Sequence, residues 1–288
     1  VDHISTHEFG HGITLAEAIW IDKARTGAWW ETVAQWFADA YIYPLTGASE
    51  FNVNSAHVGS NLTIVHKDNL YEAWPFLTYL TSNPDGYANL GRDAIRTLIR
   101  AHQDQETPLH SLARLVQPVS VQTVLGRYRA RMAYGDVGHA LIQQQVLNAQ
   151  KNSSFRSQAY RNLEAVDSTT YRVVSSRKPQ YGGSNIIPLT STGSGQISIQ
   201  VNNLGNGLSD SNFTAVVAIK ASNNSVRYVD LANGSGSFSL ASGEESSLVV
   251  TNTPNNLYQY NAFESTSSSP ESIGLNYQVQ IIGAKPRD

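Results

Sequence analysis

The stretch His7-Glu8-Phe9-Gly10-His11, followed by Glu31, constrains this chain more than any other feature. On a helix, residues four apart stand one turn above each other on one face, so His7 and His11 can aim ring nitrogens at a single ion. Glu8 stands beside His7 and projects toward the rim of such a site. There a carboxylate can take a proton from a metal-activated water without ligating the metal. A catalytic zinc needs a third protein ligand and one open position, and a glutamate on a second helix packed antiparallel to the first can supply that ligand. Glu31 lies twenty residues past His11. The chain is therefore expected to bring two helices together around Zn2+.

Composition narrows the partners. With a formal net charge of -3 and 15% charged residues, the chain has no broad basic field, which argues against nucleic acid. No apolar run approaches the length of a membrane span, so no membrane partner is expected. The absence of cysteine leaves only nitrogen and oxygen to hold a metal. Abundant Ser, Asn, Thr and Gly with few Lys suit a secreted, extracellular surface.

The pattern His-Glu-x-x-His, nineteen residues, then Glu resembles the gluzincin clan of zinc metallopeptidases, whose best-known members are thermolysin-like. The resemblance is strong over residues 3–39. It implies that His7, His11 and Glu31 ligate zinc, that Glu8 is the general base, and that the chemistry is peptide hydrolysis. In thermolysin-like enzymes an Asp one turn past the glutamate ligand bonds a zinc histidine. Gln35 stands there instead. Either Gln35 accepts a bond from the His7 ring through its amide oxygen, with less gain in histidine basicity than a carboxylate gives, or Asp39 does that work.

The clan also uses a Tyr or His from a later element to stabilise the oxyanion. His139, with Asp136 to orient it, is the favoured candidate, and His66, Tyr71, Tyr128 and Tyr134 are its rivals. The resemblance further implies a twisted sheet ahead of the zinc helix. Only six residues precede His7, so the sequence is expected to be part of a longer precursor.

Apolar periodicity predicts helices over about 3–22, 30–43 (ended before Pro44), 71–80, 91–102, 108–116, 120–133 and 137–165, with a long irregular loop over 44–70. Near residue 168 the pattern changes. Seven β-branched or alternating runs follow, over 169–175, 186–190, 196–201, 214–219, 226–231, 247–251 and 277–282. The expected fold is α+β. A mostly helical zincin-type domain (1–167) is followed by a linker (168–184), which either spans the domains or lies back over the helices. An all-β sandwich (185–288) completes the chain.

Helices followed by a Ser/Asn-rich β-domain also look like the secreted Svx/AvrXca-type proteins of plant-associated bacteria. That layout implies a protein or glycoprotein substrate and glycan contact through the β-domain. A rival from another class is a carbohydrate-binding or adhesion protein with a structural or vestigial metal site. A second is a zinc hydrolase acting on a non-peptide bond.

Overall fold

A computed structural model describes residues 2–17, 20, 24–193 and 195–287. Its helices come first: α1 (His3–Thr14), α2 (Gly27–Thr46), α3 (Val53–Val58), α4 (Trp74–Ser82), α5 (Ala94–Arg100), α6 (Pro108–Leu115), α7 (Val121–Met132), α8 (Ala140–Ala149) and α9 (Ser153–Ala159). The strands follow: β1 (Leu163–Ala165), β2 (Thr170–Val173), β3 (Ser184–Ser191), β4 (Ile197–Asn203), β5 (Phe213–Lys220), β6 (Val226–Asp230), β7 (Ser235–Phe238), β8 (Glu245–Asn252), β9 (Tyr277–Ile282) and β10 (Ala284–Pro286). The fold is α+β. No helix among the described residues is long and apolar enough to cross a membrane.

The strands form two antiparallel five-stranded sheets, ordered β1-β2-β9-β4-β7 and β10-β3-β8-β5-β6. Ile199, Val201 and Val279 from the first share one hydrophobic cluster with Ile187, Val217 and Leu248 from the second. The outer face of the second sheet is covered too. Ile186, Val216, Ala218 and Val249 pack against Ala130, Ala133 and Tyr134 at the end of α7, and against Phe155 and Tyr160. This explains two kinds of strand sequence. β3, β5 and β8 are buried on both faces and read as near-continuous apolar runs, whereas β4 and β9 alternate because one face meets solvent.

Several boundaries differ from the sequence expectation. α1 ends at Thr14, and part of its expected extension, residues 18, 19 and 21–23, lies outside the described residues. α2 passes Pro44 and stops at Gly47, whose left-handed conformation (φ 72°) closes the helix. Pro44 forfeits the bond to the Ala40 carbonyl, but only Leu45 and Thr46 follow it in the helix, so little regular structure is left for it to disrupt.

The long helix expected over 137–165 is two. Asn152 interrupts it, accepting the N–H groups of Ser154 and Phe155 to start α9, and β1 follows. Within 168–184, β2 pairs with β9, so the first sheet already includes this stretch. The segment after β2 lies on the helices. Tyr181 belongs to the helical core, the N–H of Gln180 donates to Asn61 O (2.8 Å), and the N–H of Ile64 donates to Tyr181 O (3.2 Å). Residues 44–70 are not wholly irregular, since they contain α3, started by the Asn52 side chain.

Candidate metal centre

Asp2 starts α1 by accepting the N–H of Ser5 on its carboxylate (2.8 Å). One face of α1 then lies against α2 at short range, because Gly10 meets the Ala34 backbone. A Cβ built on Gly10 would stand 3.1 Å from Ala34 Cα. This close approach carries the ring nitrogens of α1 to the carboxylate of α2.

Three atoms converge there. Glu31 Oε2 lies 3.0 Å from His7 Nε2 and 3.4 Å from His11 Nε2, and the two Nε2 atoms are 3.1 Å apart. A tetrahedral zinc with bonds of about 2.0–2.1 Å separates its ligand atoms by about 3.3 Å, so the observed triangle has the right edge length. The outer nitrogen of His7 fits as well. Its Nδ1 is 3.1 Å from Gln35 Oε1, and since an amide oxygen only accepts, Nδ1 carries the hydrogen and the Nε2 lone pair faces inward. A lone pair aimed at a carboxylate oxygen needs a cation or a proton between them, and these residues fit a divalent ion.

Glu8 is the second carboxylate here. Its ligand atom, with those of His7 and His11, falls within a 4.8 Å group able to hold a metal. Glu31 makes the closer approach to both imidazoles, while Glu8 is exposed to solvent. The first arrangement suits a ligand and the second a proton carrier.

Other groups close the site. The Trp30 ring packs on His11 with centroids 4.3 Å apart. The Tyr71 ring lies 6.3 Å from that of His7 and is 53% exposed. Partial burial and the charge of Glu31, which also bonds it, push the Tyr71 phenol up, so it is a hydrogen donor at neutral pH. Gln35 Nε2 reaches His3 Nε2 at 3.5 Å. From sequence Trp30 could either wall the metal site or fill the core, and the contact with His11 places it at the site. His3 was given no role, although its position four residues before His7 on one helix carries the signal.

The remaining candidates have other partners. Asp39 does not touch His7. It is 2% exposed, its Oδ2 lies 3.0 Å from His139 Nε2, and its Oδ1 accepts the Ser49 hydroxyl. His139 is correspondingly no oxyanion donor, because Nε2 is engaged by Asp39 and Nδ1 accepts the Ile142 N–H (3.3 Å) to cap α8. Its ring lies 4.0 Å from that of Tyr43, tilted by 31°. Asp136 does not orient His139 either, since its Oδ2 binds Arg131 Nη1 (2.6 Å) and the Tyr228 hydroxyl (2.7 Å).

Tyr128 is core, packed on Phe76 and Tyr79. Tyr134 sits between α7 and the second sheet with its hydroxyl on Ser247 (3.3 Å). His66 caps a short turn through Nδ1. Of the named rivals, Tyr71 is the one beside the histidines.

Fold and site together define an α+β protein with a two-histidine, one-carboxylate cluster between its first two helices. The chain belongs to a family of unknown function (DUF6055), whose profile spans residues 1–288. No curated protein matches it.

Proposed function

We propose that this chain is a secreted zinc-dependent endopeptidase of gluzincin type, with His7, His11 and Glu31 holding Zn2+ and Glu8 as general base. The single observation that carries this reading is the triangle of His7 Nε2, His11 Nε2 and Glu31 Oε2, with edges of 3.0, 3.1 and 3.4 Å. The helical part is read as the catalytic domain, and the two sheets as a β-sandwich accessory domain packed on it through α7. Its substrates are extracellular proteins or glycoproteins.

When bound, the ion supplies a Lewis acid that polarises a carbonyl and makes water nucleophilic at neutral pH. The residues of the chain do the rest. Gln35 holds the His7 ring in the tautomer that leaves Nε2 free. Glu8, at the exposed mouth, takes a proton from the attacking water and returns it to the leaving amine. Tyr71 donates its hydroxyl hydrogen to the carbonyl oxygen as negative charge gathers there.

The test measures zinc content and cleavage of a mixed glycoprotein substrate, with and without a chelator. Glu8→Gln is expected to keep stoichiometric zinc and lose cleavage by about a thousandfold. Tyr71→Phe is expected to keep zinc and lower kcat by about a hundredfold with little change in KM. A wild-type protein that retains zinc yet cuts none of the mixture, or cleavage that survives the chelator, overturns the proposal.

A further inference from the structure

Far from the histidines in sequence, α8, α9 and the residues joining them, the turn after β5, and the ends of β5, β8 and β10 border a half-open cavity of about 530 Å³. That volume is in the range of small-molecule sites. Its charge is unusual for a chain with slightly more acidic than basic residues. Lys151, Arg156, Lys220 and Arg287 line it, against one carboxylate, Glu245.

Glu245 lies directly across the β5–β8 ladder from Lys220, and its two oxygens reach Lys220 Nζ (3.3 Å) and Arg287 (3.4 Å). One negative charge is thus spread over two cations, which leaves an excess of positive charge in the cavity. Arg156 donates Nη1 to Gln150 O (3.0 Å), while its buried Nε has no partner among the described residues.

Apart from Ala140 and Leu147, the rest of the lining is made of side-chain amides. Gln144, Asn148 and Asn224 stand at exposed positions of the lining; Gln144 and Asn224 offer both a donor and an acceptor, while Asn148 Oδ1 accepts from Lys151 Nζ (3.0 Å) and its amide N–H groups remain to donate. Cations spaced among amides match a ligand whose few carboxylates are scattered among many hydroxyls. A compact dianion such as phosphate calls instead for donors focused on one point.

We infer that this cavity is a binding site for an acidic saccharide, with Lys151, Arg156 and Arg287 reading uronate carboxylates and the amides reading hydroxyls. The site is independent of the metal centre and of the peptidase reading.

Calorimetric titration of the full chain tests it, using a linear trisaccharide of hexuronic acid, the neutral hexose trisaccharide of the same linkage, and inorganic phosphate. The uronate is expected to bind at least about tenfold more tightly than either control. Lys151→Gln with Arg287→Gln, both at exposed positions, is expected to weaken it by about tenfold at unchanged zinc content and melting temperature. Each single variant is measured as well, so a folding defect in one does not remove the test. Glu245→Gln removes the repelling charge and is expected to tighten binding. Equal binding of neutral and acidic trisaccharides, phosphate binding as tightly as the uronate, indifference to the double substitution, or no uronate binding overturns the inference.

Discussion

Gly10 faces Ala34 so closely that a single added methyl would press on the α2 backbone, with its carbon 3.1 Å from Ala34 Cα. The same contact sets the distance between the His7 and His11 rings and Glu31. Gly10→Ala brings two opposed effects on stability. Replacing a helical glycine gains about 1 kcal/mol, and overpacking the helix contact costs about 1–3 kcal/mol. The net change in urea melts is therefore expected to be small. Zinc affinity, measured by competition with a chelating dye, is expected to fall by about tenfold, because a ligand set tolerates little displacement. Unchanged affinity would show that helix spacing does not govern the site.

Gln35 holds His7 with an amide where a carboxylate would polarise the ring more strongly. Gln35→Glu keeps an acceptor 3.1 Å from His7 Nδ1 and adds charge. It is expected to raise zinc affinity by about tenfold, and Gln35→Leu to lower it by about the same factor. Both are read by the same dye competition. If the two variants bind zinc alike, Gln35 does not orient the ring.

How legible this was depends on the range of the interactions. The cluster of His7, His11 and Glu31 could be read because each of its parts is local: His7 and His11 share a helix face by spacing alone, and Glu31 and Gln35 repeat the same four-residue step on the next helix. The fate of His139 could not be read in this way. Its partner Asp39 is 100 residues away, and nothing in the local pattern around Asp136-Val137-Gly138-His139 distinguishes a catalytic imidazole from one that caps a helix and fills a core.

The β-half was legible through burial. Val216-Val217-Ala218-Ile219 and Leu248-Val249-Val250 run apolar because α7 and the first sheet cover opposite faces. The short strands β1, β7 and β10 were missed. β7 reads Ser-Gly-Ser-Phe and β10 Ala-Lys-Pro, and neither has the β-branched pattern that marks a strand. Asn152 was the missed signal within the long helical stretch, since its side chain competes for the backbone N–H groups that a continuous helix would use.

The buried pair of Asp39 and His139 gives a prediction that separates structure from catalysis. With both side chains nearly inaccessible, removing the imidazole leaves a carboxylate short of its partner. His139→Ala is expected to destabilise the fold by about 3 kcal/mol in urea melts. Adding Asp39→Asn removes the stranded charge and should recover part of that loss. At low temperature, where the variant stays folded, zinc content and turnover per folded molecule are expected to match wild type. A hundredfold loss of kcat in well-folded His139→Ala would instead return this residue to the reaction.

His57 supplies the pH dependence. It is fully enclosed between α3 and the end of α7, with Nε2 3.0 Å from Met132 O and Nδ1 3.2 Å from Val53 O. Burial pushes its pKa down from the ordinary 6.5 to about 4, an effect that the two carbonyls oppose and Arg129 reinforces. The folded chain therefore holds a neutral ring where the unfolded chain takes up a proton. Its contribution to stability is fully present above the unfolded value, declines as the pH falls through about 6.5, and is gone below about 4.

Between about pH 7.5 and about pH 5 this amounts to a loss of about 2 kcal/mol. Urea melts of wild type and His57→Gln across that range isolate the effect, because every other titrating group is common to both. Wild type is expected to lose about 2 kcal/mol more than the variant on acidification. Parallel losses would mean that the ring takes up its proton inside the fold, with Met132 and Val53 both accepting from an imidazolium.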